Sequence, residues 1–564
     1  MTNEILTPIS VWSNLVINEV PTAQTIGEYK EGAVTIERMR IDGNTCPDGQ
    51  VKIYAVLARN KKKESQPAIF IVQKFTDGAD ETLAMDLARK GFVAFVVNVG
   101  GDDGVNTNFT LYPESVSYAN YKNAKDLLDQ AISGDVTKTC WYQWGTTVRY
   151  ALEYLRSLPF VTKIGGLGIS DSATVLWHMT ATVDFDALAF IMNAGWRAYK
   201  GNFKFSGKVD EDFSDEKIRY LAAIEPQSYA QHIKAPTLIE TATNSPDFDY
   251  ERAHDTFARI TSKVYSAINN TVGAISCVDY QAYQNVCQFF KTALSSKSSV
   301  DNLSLPDNPL IKCEEDDRKL TVTVSPDLKK LKSVSVFVSE GQLNPALRQW
   351  KKLTEYNEKE QSFVFEYLPS SKSEIAFCFA KVEYKNGFTV CSDTLSKKIE
   401  KTQSSTFYKS KVVYSSREEN AESVFSPVDK STKKPSGIEL TDENGVFVKD
   451  GAMDIQGVTS KGGLLSFGIG LEQNRPKEDG ILLLDAYVKD GGEIVVKLIA
   501  DYFGDKKEYY AYATVPGGEV WHNLKFSVNN FKTQEGMTIR SIDKIQAIEI
   551  SSKSEYLINN VLWV

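Results

Sequence analysis

The sequence predicts a multidomain protein in which a doubly wound, mostly parallel α/β domain precedes two all-β domains. Its 564 residues are too many for one hydrophobic core. Buried apolar runs such as 67–72 alternate with helical patterns up to about residue 300, which is typical of a parallel sheet. Short alternating runs without helices follow, and polar breaks at 295–305 and 401–405 interrupt them. We therefore predict domains at 1–300, 305–400 and 405–564.

Composition and charge exclude several classes of function. The net charge is −9, and the short lysine runs at 61–63 and 433–434 lie in polar, loop-like surroundings, so we expect no nucleic-acid partner. No apolar run is long enough for a membrane helix. The first 20 residues lack the basic and apolar regions of a signal peptide. We expect a cytoplasmic protein, or a secreted one whose signal peptide is absent from this sequence.

The metal-ligating residue types form no recognisable site. The cysteines are scattered and odd in number, which argues against a disulfide framework, and no CxxC pair suggests zinc. Asp442, Asp454 and Asp543 are candidates for a structural calcium, but their spacing fits no EF-hand loop. We predict neither a metal nor a cofactor.

The elements of the first domain follow from hydrophobic periodicity and breakers. The first two strands alternate apolar and polar residues, as an antiparallel pair does. In contrast, 67–72 is a continuous apolar run, as expected of a buried strand, and 92–99 is predicted to be a second buried strand. Gly91 ends one helix as a C-terminal glycine. Strands are predicted at 33–41, 51–58, 67–72, 92–99, 185–194, 237–241 and 264–268, and helices at 82–90, 124–132, 141–158 and 251–260.

The stretch 164–173, IGGLGISDSA, predicts a sharp turn from a strand into a helix with Ser170 at its apex. Such an elbow exposes a nucleophilic serine, and small flanking residues are needed because the turn is crowded. Gly168 meets that need, while Ser172 stands where glycine is usual. Ser170 is the candidate nucleophile; the alternative is a serine in an ordinary strand–helix loop.

Six segments of the first half of the chain point to one superfamily: PAIFIV (67–72), GFVAFVVNVGG (91–101), LYPESVSYANY (111–121), WYQWGTTVRYALEYL (141–155), GGLGISDSA (165–173) and APTLIETATN (235–244). In these segments the chain resembles the α/β-hydrolase superfamily, in the branch that holds acetyl-xylan-esterase-like, dienelactone-hydrolase-like and peptidase-like bacterial enzymes. The resemblance implies a nucleophilic serine, an acid and a histidine, in that order along the chain.

The resemblance places the acid in the loop after the strand at 237–241. Family members put aspartate directly after the Thr-Asn pair, where this chain has Ser245. Asp247 is the candidate acid, with Asp249 as a second choice. Both residues are equally well read as solvated loop carboxylates.

The expected histidine is absent from its place. The resemblance puts it in the loop after the last strand, where Val272 stands. His178 lies two helical turns beyond Ser170, and His232 precedes a strand at its N-terminal end. His254 follows the acid loop on a helix, and the fourth histidine is His522.

Backbone amides are the predicted oxyanion donors. The resemblance implies the amide of Asp171, after the nucleophile, and one from the loop after 67–72, which we assign to Lys74 or Phe75. The His-Gly pair that is common in that loop is replaced here by a sequence beginning at Gln73.

The second domain reads as a β-sandwich similar to fibronectin type III or immunoglobulin-like modules. Asn386-Gly387 predicts a type I′ hairpin turn. No chemistry is visible here, and we expect a spacer or a wall beside the hydrolase cleft. Strands are predicted at 319–324, 333–339, 361–367, 374–384 and 388–392.

The third domain reads as a jelly roll. Segments 520–532 and 541–564 resemble galactose-binding-like and family 11 carbohydrate-binding modules. Tyr510 and Tyr512 share one face of a strand and are the candidate sugar-stacking residues, whereas Tyr509 faces the other way. The alternative is a module that only packs on its neighbours. Strands are predicted at 445–449, 463–469, 481–488, 493–501, 509–514, 520–527, 542–550 and 556–564.

Together these residues predict a serine carboxylic-ester hydrolase acting on a small ester or an acylated polysaccharide. Loss of the triad histidine usually costs about 10⁴–10⁶ in turnover, so we expect slow or absent activity. The alternative is a catalytically inactive hydrolase-fold protein that binds glycan or protein. A third possibility, peptidase activity, is supported only by the resemblance to the superfamily and by no specific residue. The sequence does not indicate an oligomeric state.

Overall fold

The structure is a computed structural model, and it forms three units in chain order. It describes residues 5–75, 77–101, 108–116, 135–195, 204–205, 214–246, 248–272, 280–295, 305–317, 319–369, 374–400, 411–416, 421–428, 445–471, 474–475 and 479–564.

The first unit is built on a nine-stranded sheet. From β3 onward, the strands pair in the order β3-β5-β4-β6-β7-β8-β9, and all of them except β3 run parallel. The antiparallel β1 and β2 extend the sheet beyond β3. This arrangement confirms the predicted multidomain fold class with a mostly parallel first sheet. The strands are β1 (Ala23–Glu31), β2 (Val34–Cys46), β3 (Gly49–Arg59), β4 (Gln66–Val72), β5 (Val93–Val97), β6 (Val161–Ile169), β7 (Ala187–Ile191), β8 (Thr237–Asn244) and β9 (Val264–Val272).

Helices cover both faces of this sheet. The described helices are α1 (Pro8–Trp12), α2 (Glu81–Arg89), α3 (Cys140–Ser157), α4 (Ala173–Met179), α5 (Asp215–Ala223), α6 (Pro226–Tyr229), α7 (Tyr250–Phe257) and α8 (Tyr280–Ala293). Residues of α3 and α4 share one core cluster, and residues of α2 and α8 share the other. Gly165 lets α8 approach the sheet, because a Cβ there would lie 2.5 Å from the ring of Phe290. The helix predicted at 124–132 lies outside the described residues.

The second unit consists of two antiparallel sheets, in the orders β10-β11-β15-β14 and β13-β12-β16-β17, with β18 also paired to β16. Its strands are β10 (Leu310–Asp316), β11 (Lys319–Ser325), β12 (Leu331–Glu340), β13 (Lys351–Leu353), β14 (Asn357–Lys359), β15 (Ser362–Tyr367), β16 (Ile375–Tyr384), β17 (Thr389–Cys391) and β18 (Leu395–Lys398). The β16–β17 hairpin is present, but its turn is not the predicted type I′. Gly387 has φ of 82°, whereas Asn386 has no positive φ and instead accepts the N–H of Phe388 through its side chain.

The third unit is also made of two antiparallel sheets, which enclose one core. One sheet has the order β21-β22-β29-β24-β27 with β19 added to β29, and the other has the order β20-β23-β28-β25-β26. The elements are β19 (Lys411–Ser415), α9 (Ala421–Val424), β20 (Ser426–Pro427), β21 (Phe447–Asp450), β22 (Gln456–Thr459), β23 (Leu464–Ser466), β24 (Ile481–Tyr487), β25 (Gly492–Ala500), β26 (Lys507–Val515), β27 (His522–Ser527), β28 (Ile545–Ser552) and β29 (Leu557–Trp563).

The second unit covers the β9 edge of the large sheet. The backbone N–H of Ile268 in β9 donates to Sγ of Cys391 in β17 at 3.2 Å. Beside it, the Asn285 side chain of α8 donates to the carbonyl of Thr389 and accepts the N–H of the same residue. Burial raises the pKa of the Cys391 thiol to about 11. An open strand edge, which would otherwise pair with another chain, is thereby closed.

Candidate active site

Ser170 lies at the apex of the predicted elbow. Strand β6 ends at Ile169, a single turn follows, and α4 begins at Ala173. Ser170 has φ of 60°, a region that costs a residue with a Cβ roughly 1 kcal/mol or more and recurs at functional sites. A Cβ at Gly168 would lie 2.6 Å from the Cβ of Ala173, which explains the glycine before the serine. The strand, turn and helix that the sequence predicted are therefore present.

Asn193 holds the elbow from the neighbouring strand. It follows β7 and is 8% exposed. Its Nδ2 donates to the backbone carbonyl of Ser170 at 3.1 Å and to Oγ1 of Thr174 at 3.0 Å. Asn193 was not predicted from the sequence. Its position just beyond the carboxyl end of the strand next to β6 was the one signal that pointed to it.

The loop after β4 reaches the same edge of the sheet. Val72 of β4 pairs with Gly168 of the adjacent parallel strand β6. Lys74 and Ser170 each follow this pair by two residues, so they leave the sheet at the same level. Phe75 is buried, and its ring stacks on Trp144 at a centroid distance of 4.1 Å. The backbone is thus fixed next to the elbow. The oxyanion roles of the Lys74 and Asp171 amides remain predictions.

The candidate acid Asp247 lies outside the described residues. The second choice, Asp249, caps the N-terminus of α7: its Oδ1 accepts the N–H groups of Glu251 and Arg252 at 2.9 and 3.3 Å. Its Oδ2 accepts the N–H of Lys204 at 3.0 Å. Asp249 thus has a structural role as a helix cap. Ser245, at the position where the resemblance led us to expect aspartate, is 3% exposed.

The second unit contacts the end of β8, which leads into the acid loop. Nδ2 of Asn244 donates to the carbonyl oxygens of Ala346 and Arg348 at 3.0 and 2.7 Å. Asn244 is 4% exposed, so its amide depends on these two acceptors. The strand end that precedes the predicted acid is therefore attached to the second unit.

Two histidines of the first unit are committed elsewhere. His178 is fully buried, its Nε2 lies 2.7 Å from the carbonyl oxygen of Ile224, and burial lowers its pKa to about 4. His254 on α7 has Nδ1 3.1 Å from a carboxylate oxygen of Asp393, and its Nε2 accepts the N–H of Thr394 at 3.3 Å. The hydrogen bond with His254 lowers the pKa of Asp393.

The other two histidines lie away from the elbow in the fold. His232 lies in the turn that precedes β8, at the N-terminal end of a parallel strand, whereas Ser170 follows the carboxyl end of one. His522 begins β27 in the third unit. All four histidines lie in described stretches, and no hydrogen bond joins any of them to Ser170 Oγ. The part of the chain that the structure describes therefore supplies no imidazole base to Ser170.

Tyr510 and Tyr512 form a small aromatic platform on β26. Their rings are nearly parallel, 6.3 Å apart with 7° between their planes, and Tyr512 is 58% exposed. Tyr509 is buried on the opposite face of the strand, as the period of two predicts. The hydroxyl of Tyr510 donates to Glu508, and this bond raises its pKa to about 12.

In the described stretches, no group of three or more His, Cys, Asp or Glu side chains is placed to hold a metal ion. Asp543 pairs with Arg475 at 3.4 Å, and Asp442 lies outside the described residues. No helix in these stretches combines the length and the apolarity that a membrane crossing requires.

The chain has weak structural similarity to several esterases. No family model and no curated protein matches it. Acetyl xylan esterase 1 from Thermoanaerobacterium sp. JW/SL YS485 is 13% identical over 49% of this chain and 89% of its own, with a TM-score of 0.38. The acetyl xylan esterase from Paenibacillus sp. R4 is 15% identical over 49% and 91%, with a TM-score of 0.37. Est1E from Butyrivibrio proteoclasticus is 15% identical over 45% and 98%, with a TM-score of 0.30.

Proposed function

We propose that this chain is a serine carboxylic-ester hydrolase of low turnover, with Ser170 as its nucleophile. The observation that carries the proposal is the φ of 60° at Ser170, between Gly168 and Ala173. A strained serine at the end of a central parallel strand has no evident packing purpose, and strain of this kind is kept where a side chain must be presented. The substrate class is a small ester or an acylated carbohydrate.

The reaction would begin with attack of Ser170 Oγ on the ester carbonyl carbon. The backbone amides of Asp171 and Lys74 would stabilise the oxyanion, and Asp247 would be the acid of the site. The serine proton must pass to water or to a carboxylate, because His178 and His254 are committed elsewhere and the other two histidines lie away from the elbow. Turnover is therefore expected about 10⁴–10⁶ below that of a complete triad.

The test is hydrolysis of an activated acyl ester by the full chain, with a fluorophosphonate label in parallel. Thr174→Ser is a matched control, because this conservative change lies one helical turn beyond the elbow and keeps the hydroxyl that Asn193 contacts. We expect slow turnover and labelling in the wild type and in this control, and neither in Ser170→Ala. Equal background in all three proteins would exclude a nucleophilic role for Ser170.

A second candidate function is glycan binding without catalysis, and the tyrosine platform on β26 favours it. Two parallel rings, of which Tyr512 is exposed and Tyr510 half-buried, suit stacking on a pyranose face, and Lys497 and Glu508 beside Tyr510 offer partners for hydroxyl groups. We expect Tyr512→Ala to weaken binding to an acetylated xylan at least tenfold. Phe447→Ala, which removes a 40% exposed ring from the other sheet, should leave binding unchanged. Equal binding by both variants would remove the platform from the proposal.

A further inference from the structure

Two cysteines of the second unit lie against each other across its sandwich. Cys313 is on β10 in one sheet and Cys378 is on β16 in the other. Cys378 is 2% exposed inside the core cluster on which Cys313 packs, and the backbones of β10 and β16 approach within 8 Å. Their thiols are near enough that each shifts the pKa of the other, and both cysteines are free in the structure.

We infer that Cys313 and Cys378 form a disulfide that joins the two sheets of the second unit when a low-molecular-weight disulfide is present as oxidant. The Cys313 thiolate attacks one sulfur of that oxidant, whose S–S bond breaks and releases one thiol. The Cys378 thiol then gives its proton to water, attacks Sγ of Cys313 and expels the second thiol. Two protein thiols are thus oxidised, and one small disulfide is reduced to two thiols.

The burial of the two thiols sets this order of events. Cys313 is half-buried at the margin of the sandwich, so a small disulfide can reach it, whereas Cys378 is enclosed. The interaction between the two thiols lowers the pKa of Cys313 and raises that of Cys378. A partly exposed thiol with a lowered pKa is the more reactive of a pair, and the enclosed thiol then acts as the resolving group.

The bond would close a long loop of chain. The two cysteines are about 65 residues apart, and loops of this length gain substantial stability when cross-linked. The loop contains Arg348 and the turn at 345–347, which contact α7 and β8 of the first unit. Oxidation would therefore stiffen the part of the second unit that contacts the first unit. The odd number of cysteines is compatible with one such pair.

The test uses the full chain, reduced and then equilibrated with oxidised glutathione. Remaining thiols are blocked with a maleimide in denaturant, and the digest is analysed by mass spectrometry. We expect the peptides with Cys313 and Cys378 to be recovered joined and two hydrogen atoms lighter. Recovery of both peptides singly alkylated, or of Cys313 held as a glutathione adduct, would overturn the inference.

Variants provide a second readout. Oxidation should raise the melting midpoint of the wild type by about 5 °C or more. The same rise is expected in Cys287→Ser, a control at a separate cysteine of α8. It should be absent in Cys313→Ser and Cys378→Ser, and an equal rise in either would refute the inference. If a variant does not fold, the joined peptide of the wild type decides.

Discussion

Arg348→Met should strongly destabilise the contact between the first and second units. The guanidinium is fully buried, and its two Nη atoms donate to the Glu251 carboxylate at 3.0 and 3.1 Å. It also donates to the hydroxyl of Tyr250 at 2.8 Å and lies 3.4 Å from the ring centre of Phe377. Methionine keeps much of the side-chain volume but removes the charge and every donor.

The expected loss of stability in Arg348→Met follows from the buried Glu251 carboxylate, which loses its partner. Glu251 has a side chain only 4% exposed, and burial already raises its pKa against the lowering effect of Arg348. Removing one partner of a buried ion pair costs about 3–5 kcal/mol, because an uncompensated charge remains. Arg348 also donates to the carbonyl oxygens of Gln342 and Leu343, but these lie in a partly exposed loop where water can replace it. We therefore expect a loss of about 4 kcal/mol.

The assay is native-state hydrogen exchange, read on peptides that cover α7 and the loop at 342–350, because a multidomain chain need not unfold in one step. A carboxyl whose folded pKa is raised contributes stability at low pH that is lost as pH rises through that pKa. The deficit of Arg348→Met should therefore be smaller at pH 5 than at pH 8. Adding Glu251→Gln should recover part of the loss.

A half-exposed ion pair of the second unit is the control. Lys319 and Glu366 lie 2.6 Å apart with side chains 48% and 50% exposed, so Lys319→Met should cost less than about 1 kcal/mol. A similarly small loss for Arg348→Met, or no recovery with Glu251→Gln, would refute the reasoning.

Three further changes test the elbow and the buried histidine. Ser170→Gly should raise the unfolding free energy by about 1 kcal/mol, because glycine adopts φ of 60° without strain, and should abolish fluorophosphonate labelling; a thermal melt and a labelling gel decide. Asn193→Ala should cost about 1–2 kcal/mol and slow labelling of Ser170, and a labelling rate equal to that of the wild type would show that the elbow holds without it. His178 has its pKa lowered to about 4 by burial, so the unfolded chain binds its proton first and stability should fall from pH 6.5 to pH 4 by about 3 kcal/mol. His178→Gln should flatten that slope in a pH series of unfolding curves, and an unchanged slope would assign it to other groups.

The sequence identified elements whose pattern is set by their own burial. Strands β4, β5 and β7 of the central sheet are almost entirely apolar, and the elbow is a local succession of small residues, so both were predictable. Strand β1 was missed because it lies at the edge of the sheet, where it pairs with β2. Almost every residue of β1 is exposed, so its sequence shows no alternation of apolar and polar residues. The wrong turn type at Asn386-Gly387 has a local cause, since the Asn386 side chain accepts the N–H of Phe388 and Gly387 alone has a positive φ.

The site could be predicted only in part, because its two halves depend on contacts of different range. The side with the candidate nucleophile is made by residues close in sequence or on the next strand, as Gly168, Ser170 and Thr174 show. The other side is set by contacts between units, such as Arg348 with Glu251, which lie about a hundred residues apart. An aspartate just before a helix can be solvated or can cap that helix, and its sequence context is the same in both cases. The capping role of Asp249 was therefore recognisable only in the structure.

The contacts with the second unit are concentrated on the side of the sheet where an acid and a histidine would act. Asn244 at the end of β8, His254 on α7 and Ile268 in β9 all bond to residues of the second unit. The elbow itself is held by Asn193 within the first unit. Because the two sets share no residue, their effects should be separable. Ser170→Ala should remove the chemistry and leave the contact between units intact, whereas Arg348→Met should loosen that contact and leave the conformation of Ser170 unchanged.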